Sequence, residues 1–68
     1  MHDFNDLEGL RIAMEMEKRG EALYRKAARV SKKREVADML TALASDEVAH
    51  AAEFGRLYDC LLYTSRCV

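Results

Sequence analysis

Leu40-Thr41-Ala42-Leu43-Ala44-Ser45-Asp46-Glu47-Val48-Ala49-His50-Ala51-Ala52-Glu53-Phe54-Gly55-Arg56-Leu57 decides the fold. Extended by Val36 and Leu61, the positions Val36, Leu40, Leu43, Glu47, His50, Phe54, Leu57 and Leu61 recur at alternating spacings of four and three. That is the periodicity of one face of an α-helix packed in a bundle or coiled coil. Ala37, Ala44, Ala51 and Ala52 flank the stripe with small side chains that allow a second helix to come close. Two members are polar. Glu47 and His50 stand three residues apart, on one helical face, where Leu would be expected. Burying such groups without partners costs about 1–3 kcal/mol each, and more for a charge, so a bound metal ion is the leading way to offset them.

Upstream, Leu10, Ala13, Glu17, Gly20, Tyr24 and Ala27 repeat the same three-and-four spacing, and Met14, Leu23 and Ala28 widen the stripe. Asp6 and Glu8 place negative charge at the positive end of this first helix, expected from about Asp6 to Val30. Glu17 interrupts its stripe as Glu47 interrupts the second. Gly20, in mid-helix, costs roughly 1 kcal/mol against Ala, which a neighbour that must come close would explain. Between the segments, Ser31-Lys32-Lys33 reads as the turn, with Ser31 as the N-cap side chain, and the second helix is expected from about Lys33 to Leu61 or Leu62. Each helix would then be roughly 40 Å long.

Composition agrees. Of 68 residues half are hydrophobic and 34% charged, with no Pro and three Gly, a profile of long helices. A chain this short needs a staple, a metal or self-association, because two helices cannot enclose a core. A formal net charge of −1 argues against nucleic acid or an anionic membrane surface as partner. The cations from Arg25 to Arg34 complement a helix C-terminus and the turn after it. No secretory leader and no membrane-spanning run is visible. Cys60 and Cys67, both late in the chain, form no disulfide framework, so a reducing, cytoplasmic setting is the expectation.

Folding the two helices as an antiparallel hairpin about Ser31-Lys32 places Glu17 and Glu47 each about 15 residues, or roughly 22 Å, from the turn. They should meet at one height, with His50 one turn further along. One carboxylate on one helix and a Glu-x-x-His on its neighbour is half of the ligand set of ferritin-like di-iron proteins, in which two helices give a Glu and two others a Glu-x-x-His. Four carboxylates and two imidazoles suit iron or manganese, whereas the three residues alone could hold a single zinc. Tyr24, two turns after Glu17, is either a partner for a metal-bound carboxylate or a core aromatic with its hydroxyl at the surface.

These residues resemble the rubrerythrin branch of the ferritin-like superfamily. The likeness runs from Ala13-Met14-Glu15-Met16-Glu17 through Ala22-Leu23-Tyr24 and Ala27-Ala28 to Leu43-Ala44-Ser45-Asp46-Glu47-Val48-Ala49-His50 and covers roughly residues 7–58. The resemblance implies an all-α chain: a two-helix hairpin that is half of a four-helix bundle, completed by dimerisation or by a missing C-terminal half. It implies that Glu17, Glu47 and His50 are iron ligands and that Tyr24 donates its hydroxyl to a ligand. It further implies a di-iron oxidoreductase, active as a peroxidase or ferroxidase only once four helices are assembled, and served by an external electron donor. The chain departs from the family in having two helices rather than four, in lacking Cys-x-x-Cys pairs, and in starting its second helix with Lys33-Arg34 rather than acidic residues. Encapsulated ferritins, two-helix chains with a similar Glu and Glu-x-x-His, point to completion by a second copy.

Other expectations are less specific. Glu21 and Glu53 should pair with nearby cations, Met14, Met16 and Met39 should serve in packing, and Asp46 should be exposed. Residues 1–62 are expected to form the hairpin and 63–68 an irregular tail. Cys60-Leu61-Leu62-Tyr63-Thr64-Ser65 looks like translated sequencing-adapter sequence, so the natural chain is expected to continue beyond a truncated fragment. The competing functional class is a helical-hairpin dimerisation module without chemistry.

Overall fold

A computed structural model describes residues 4–63 of the chain. Helix α1 spans Phe4–Val30 and helix α2 spans Arg34–Tyr63, joined by a three-residue turn into an antiparallel hairpin whose helices pack along their length. The expected boundaries hold to within two residues, and α2 runs through Tyr63, the first residue of the expected tail. The remainder of that tail, with Cys67, lies outside the described residues, as does His2.

At the turn, Ser31 N–H donates to the Ala28 carbonyl at 3.3 Å, tightening the last turn of α1. The Ser31 hydroxyl donates to the Lys33 carbonyl at 3.2 Å, so it braces the turn rather than accepting from the first amides of α2 as an N-cap would. The first α2 bond is Ala37 N–H to the Lys33 carbonyl at 3.0 Å. All glycines keep ordinary helical dihedrals, and among the described residues there is no positive φ.

Leu10, Ala13, Glu17, Gly20, Tyr24 and Ala27 are all at least partly covered, as their stripe requires. On α2 the covered seam is Ala37, Leu40, Ala44, Glu47, Ala51, Phe54, Tyr58 and Leu61. Val36, Leu43 and His50, which the sequence placed on the buried stripe, are exposed. Ala44 is fully covered and Ala37 and Ala51 partly so, and with these small residues on the contact the three larger ones are turned to one side. Met14 packs 3.6 Å from where a Cβ on Gly55 would lie, whereas Met16 and Met39 are exposed and do not pack within the hairpin.

Ala44 is the only described residue that is fully buried. The radius of gyration is 15.3 Å against about 11 Å for a compact domain of this length. The accessible surface is 5501 Å² for a 7.8 kDa chain, where roughly 4,400 Å² is usual. This is a layer rather than a closed core. Ala44→Leu should wedge the helices apart and destabilise the hairpin by about 1–3 kcal/mol. The measurement is the midpoint of thermal unfolding by circular dichroism, expected to fall by roughly 5 °C or more; an unchanged midpoint would show that the close contact contributes nothing.

Candidate metal centre

Glu17 is the middle residue of α1, and Glu47 and His50 straddle the middle of α2. Helical spacing puts Glu47 and His50 on adjoining turns of one face, and hairpin formation brings Glu17 against them. His50 Nδ1 lies 3.0 Å from Glu17 Oε2 and 3.8 Å from Glu47 Oε1. A carboxylate only accepts, so the 3.0 Å contact is a hydrogen bond in the tautomer that carries its proton on Nδ1. One ligand atom from each of the three residues falls within 4.8 Å of the others, a group that could hold a metal ion. For a metal–ligand distance of about 2.1 Å, neighbouring donors stand about 3 Å apart and opposite ones about 4 Å. The two separations from His50 Nδ1 suit one shared ion.

The three side chains converge as the count from the turn requires, with Glu17 in closest contact with His50 and the Glu47 carboxylate lying against Gly20. Cα–Cβ bonds tilt toward the N-terminus of their own helix, so in an antiparallel pair the Glu17 side chain leans away from the turn and the Glu47 side chain toward it.

Gly20 is thereby explained. A Cβ there would stand 3.2 Å from Glu47 Cδ and 3.6 Å from its Cγ, and would collide with Oε2. The close neighbour anticipated from the sequence is this carboxylate. Glu17 and Glu47 are mostly shielded, with side chains 19% and 18% exposed, while His50 at 60% opens onto one side of the hairpin. Tyr24 is half-buried on the same face of α1, but among the described residues its hydroxyl makes no hydrogen bond.

The remaining charges behave as surface pairs. Arg25 Nε donates to Glu21 Oε2 at 2.8 Å, Arg56 pairs with Glu53, and Asp46 is exposed. Cys60 is disulfide-bonded, which two cysteines late in the chain, offering no disulfide framework, did not indicate. Among the described residues no helix is long and apolar enough to cross a membrane.

The family model for rubrerythrin matches residues 7–66. The chain belongs to the rubrerythrin family. No curated protein and no solved structure matches it. The match spans both helices, so the family's helical pairing and the Glu/Glu/His cluster lie within one continuous region of this rubrerythrin-family hairpin.

Proposed function

We propose that this hairpin supplies half of a carboxylate-bridged di-iron site, completed by a second hairpin, and that the assembled site reduces peroxide or oxidises ferrous iron. The observation that carries the proposal is the convergence of Glu17, Glu47 and His50 ligand atoms within 4.8 Å, in a chain of the rubrerythrin family. The donor set fits the metal: two carboxylates and an imidazole suit iron or manganese, and three donors leave room for a second hairpin's ligands. Bound iron would supply one-electron redox chemistry.

The chain's own residues do the rest. Glu17 and Glu47 bring two negative charges to one point in partly shielded surroundings, which selects a cation over water. Gly20 leaves the Glu47 carboxylate free to reach that point. His50 Nδ1 lies 3.0 Å from Glu17 Oε2 and binds a metal only in the tautomer that leaves it unprotonated. Tyr24 would donate its hydroxyl to one of the carboxylates in the loaded site.

Anaerobic ferrous titration by equilibrium dialysis tests this. Saturation is expected near about one iron per chain, as two shared ions per pair of hairpins require. Glu47→Ala should weaken binding at least about 100-fold. Added peroxide should then consume the bound ferrous iron, followed with a ferrous-specific chromogenic chelator, faster than it consumes free iron. Binding that is unaltered in Glu47→Ala overturns the proposal.

A further inference from the structure

Beside the turn lies a cavity of about 290 Å³, lined by Arg25, Ala28 and Arg29 of α1 and by Ala37 and Thr41 of α2. It opens on the side of the hairpin away from His50. Arg25 follows the packed residue Tyr24 and Thr41 follows Leu40, whereas His50 precedes Ala51, and the two steps lead to opposite sides of an antiparallel pair. Ala28 and Ala37, one from each helix, put too little side chain into the wall to fill the space. Two guanidinium groups and no carboxylate line it.

The donors in that wall are uncommitted. Arg25 gives one of its several N–H groups to Glu21 Oε2 at 2.8 Å, a bond that steadies the guanidinium without using it up. Arg29 has no hydrogen bond or ion pair among the described residues. Thr41 Oγ1 donates to the Ala37 carbonyl at 2.9 Å, so its hydroxyl is left as an acceptor. The carbonyl end of α1 and the amide end of α2 both adjoin the turn, and their dipoles offset there, so attraction for an anion rests on the arginines. Residues 25–34 contain six cations and no Asp or Glu, and among the described residues only Arg25 and Arg34 of the six form ion pairs. That surplus raises the local concentration of small anions at the mouth of the cavity, although the whole chain is slightly acidic.

We propose that this cavity binds a phosphate group, with the Arg25 and Arg29 guanidinium groups as its donors and the two alanines leaving the space it occupies. The planar N–H forks of arginine match the paired oxygens of a phosphate, which a point charge such as Lys does not. A protonated phosphate oxygen finds its acceptor in Thr41. Pockets for small organic molecules begin at about 300 Å³, so the volume suits the free ion or a small phosphate ester. The site is separate from the metal-binding group, since Arg25 stands eight residues from Glu17, about 12 Å along α1. It stands or falls independently of the metal reading.

Titration of the metal-free, nitrogen-15-labelled chain with inorganic phosphate, followed by amide chemical shifts, tests the site. Saturable shifts in the millimolar range are expected at Arg25, Ala28, Arg29, Ala37 and Thr41, and sodium chloride of equal ionic strength should not reproduce them. Arg29→Gln should weaken binding about 10-fold or more, the scale of a hydrogen bond to a charged group, and its exposed side chain makes this a safe change for folding. Lys32→Gln removes an equal charge beside the turn but off the cavity wall, and should alter affinity by no more than about threefold. Ala28→Leu keeps both arginines and fills the space, so binding should vanish while circular dichroism still reports the hairpin. Adenosine monophosphate distinguishes the sources of the group: tighter binding than phosphate at the same amides assigns an ester, and weaker binding assigns the free ion. Shifts that rise linearly without saturating, or that chloride matches, overturn the proposal. So does native affinity in Arg29→Gln, or a loss in Lys32→Gln as large as that in Arg29→Gln, which would mark a diffuse basic surface.

Discussion

Glu17→Gln should lower ferrous affinity at least about 100-fold while leaving the hairpin in place. The substitution keeps shape and volume, and the Gln amide can still accept from or donate to His50 Nδ1, 3.0 Å from the Glu17 oxygen. What disappears is one of two negative charges in a group of three donors. Changing an outer partner of a metal ligand typically costs 10–100-fold in affinity, so removing the charge of a direct donor should reach or exceed the upper end of that range. Folding should barely respond. His50 is 60% exposed, and a hydrogen bond open to water is worth about 1 kcal/mol at most. The two readouts are a competition titration against a chromogenic ferrous chelator and a thermal melt by circular dichroism. Native affinity within threefold would mean that Glu17 is no ligand. A collapsed melt would mean that its role is structural.

Much of this arrangement was legible in the sequence, and the shortfalls have identifiable causes. Two amphipathic stripes, a turn without Gly or Pro, and alanines beside the second stripe were enough for the hairpin. The Glu17, Glu47 and His50 cluster followed from spacing alone, because helices carry side chains to places that a count of residues can anticipate. The count carries no side-chain lean, so it did not say that Glu17 would make its closest contact with His50. It failed in choosing among apolar residues of equal periodicity. Val36 and Leu43 belong to a regular repeat, as do Ala37 and Ala44, and periodicity does not say which of two adjacent repeats a neighbouring helix will cover. Close approach favours the small side chains, and the larger ones are left to the outer face. The bridge at Cys60 carries no periodic signal and was not anticipated. Gly20 lay between these cases: its cost in a helix marked it, but only the folded pair identifies what it accommodates.

Gly20→Ala should move stability and metal binding in opposite directions. In a helix interior Ala is favoured over Gly by about 1 kcal/mol, and Gly20 has ordinary helical dihedrals that Ala adopts without strain. On that count the variant melts higher. Its new methyl group, however, occupies the space of the Glu47 carboxylate, 3.2 Å from Cδ and closer to Oε2. The obstacle is the end of a flexible side chain rather than backbone, so the carboxylate rotates aside and the helices stay packed. Glu47 then no longer converges with Glu17 and His50, and ferrous affinity should fall about 10-fold or more, the scale on which displaced ligand geometry is felt. A purely structural glycine would give the first effect without the second. A glycine admitting close helix packing would show the reverse sign in the melt, because an added methyl would push α2 away. Thermal melting and ferrous titration of the same preparation separate these cases, and a variant that binds iron as tightly as the native chain would show that the notch at Gly20 has no part in placing Glu47.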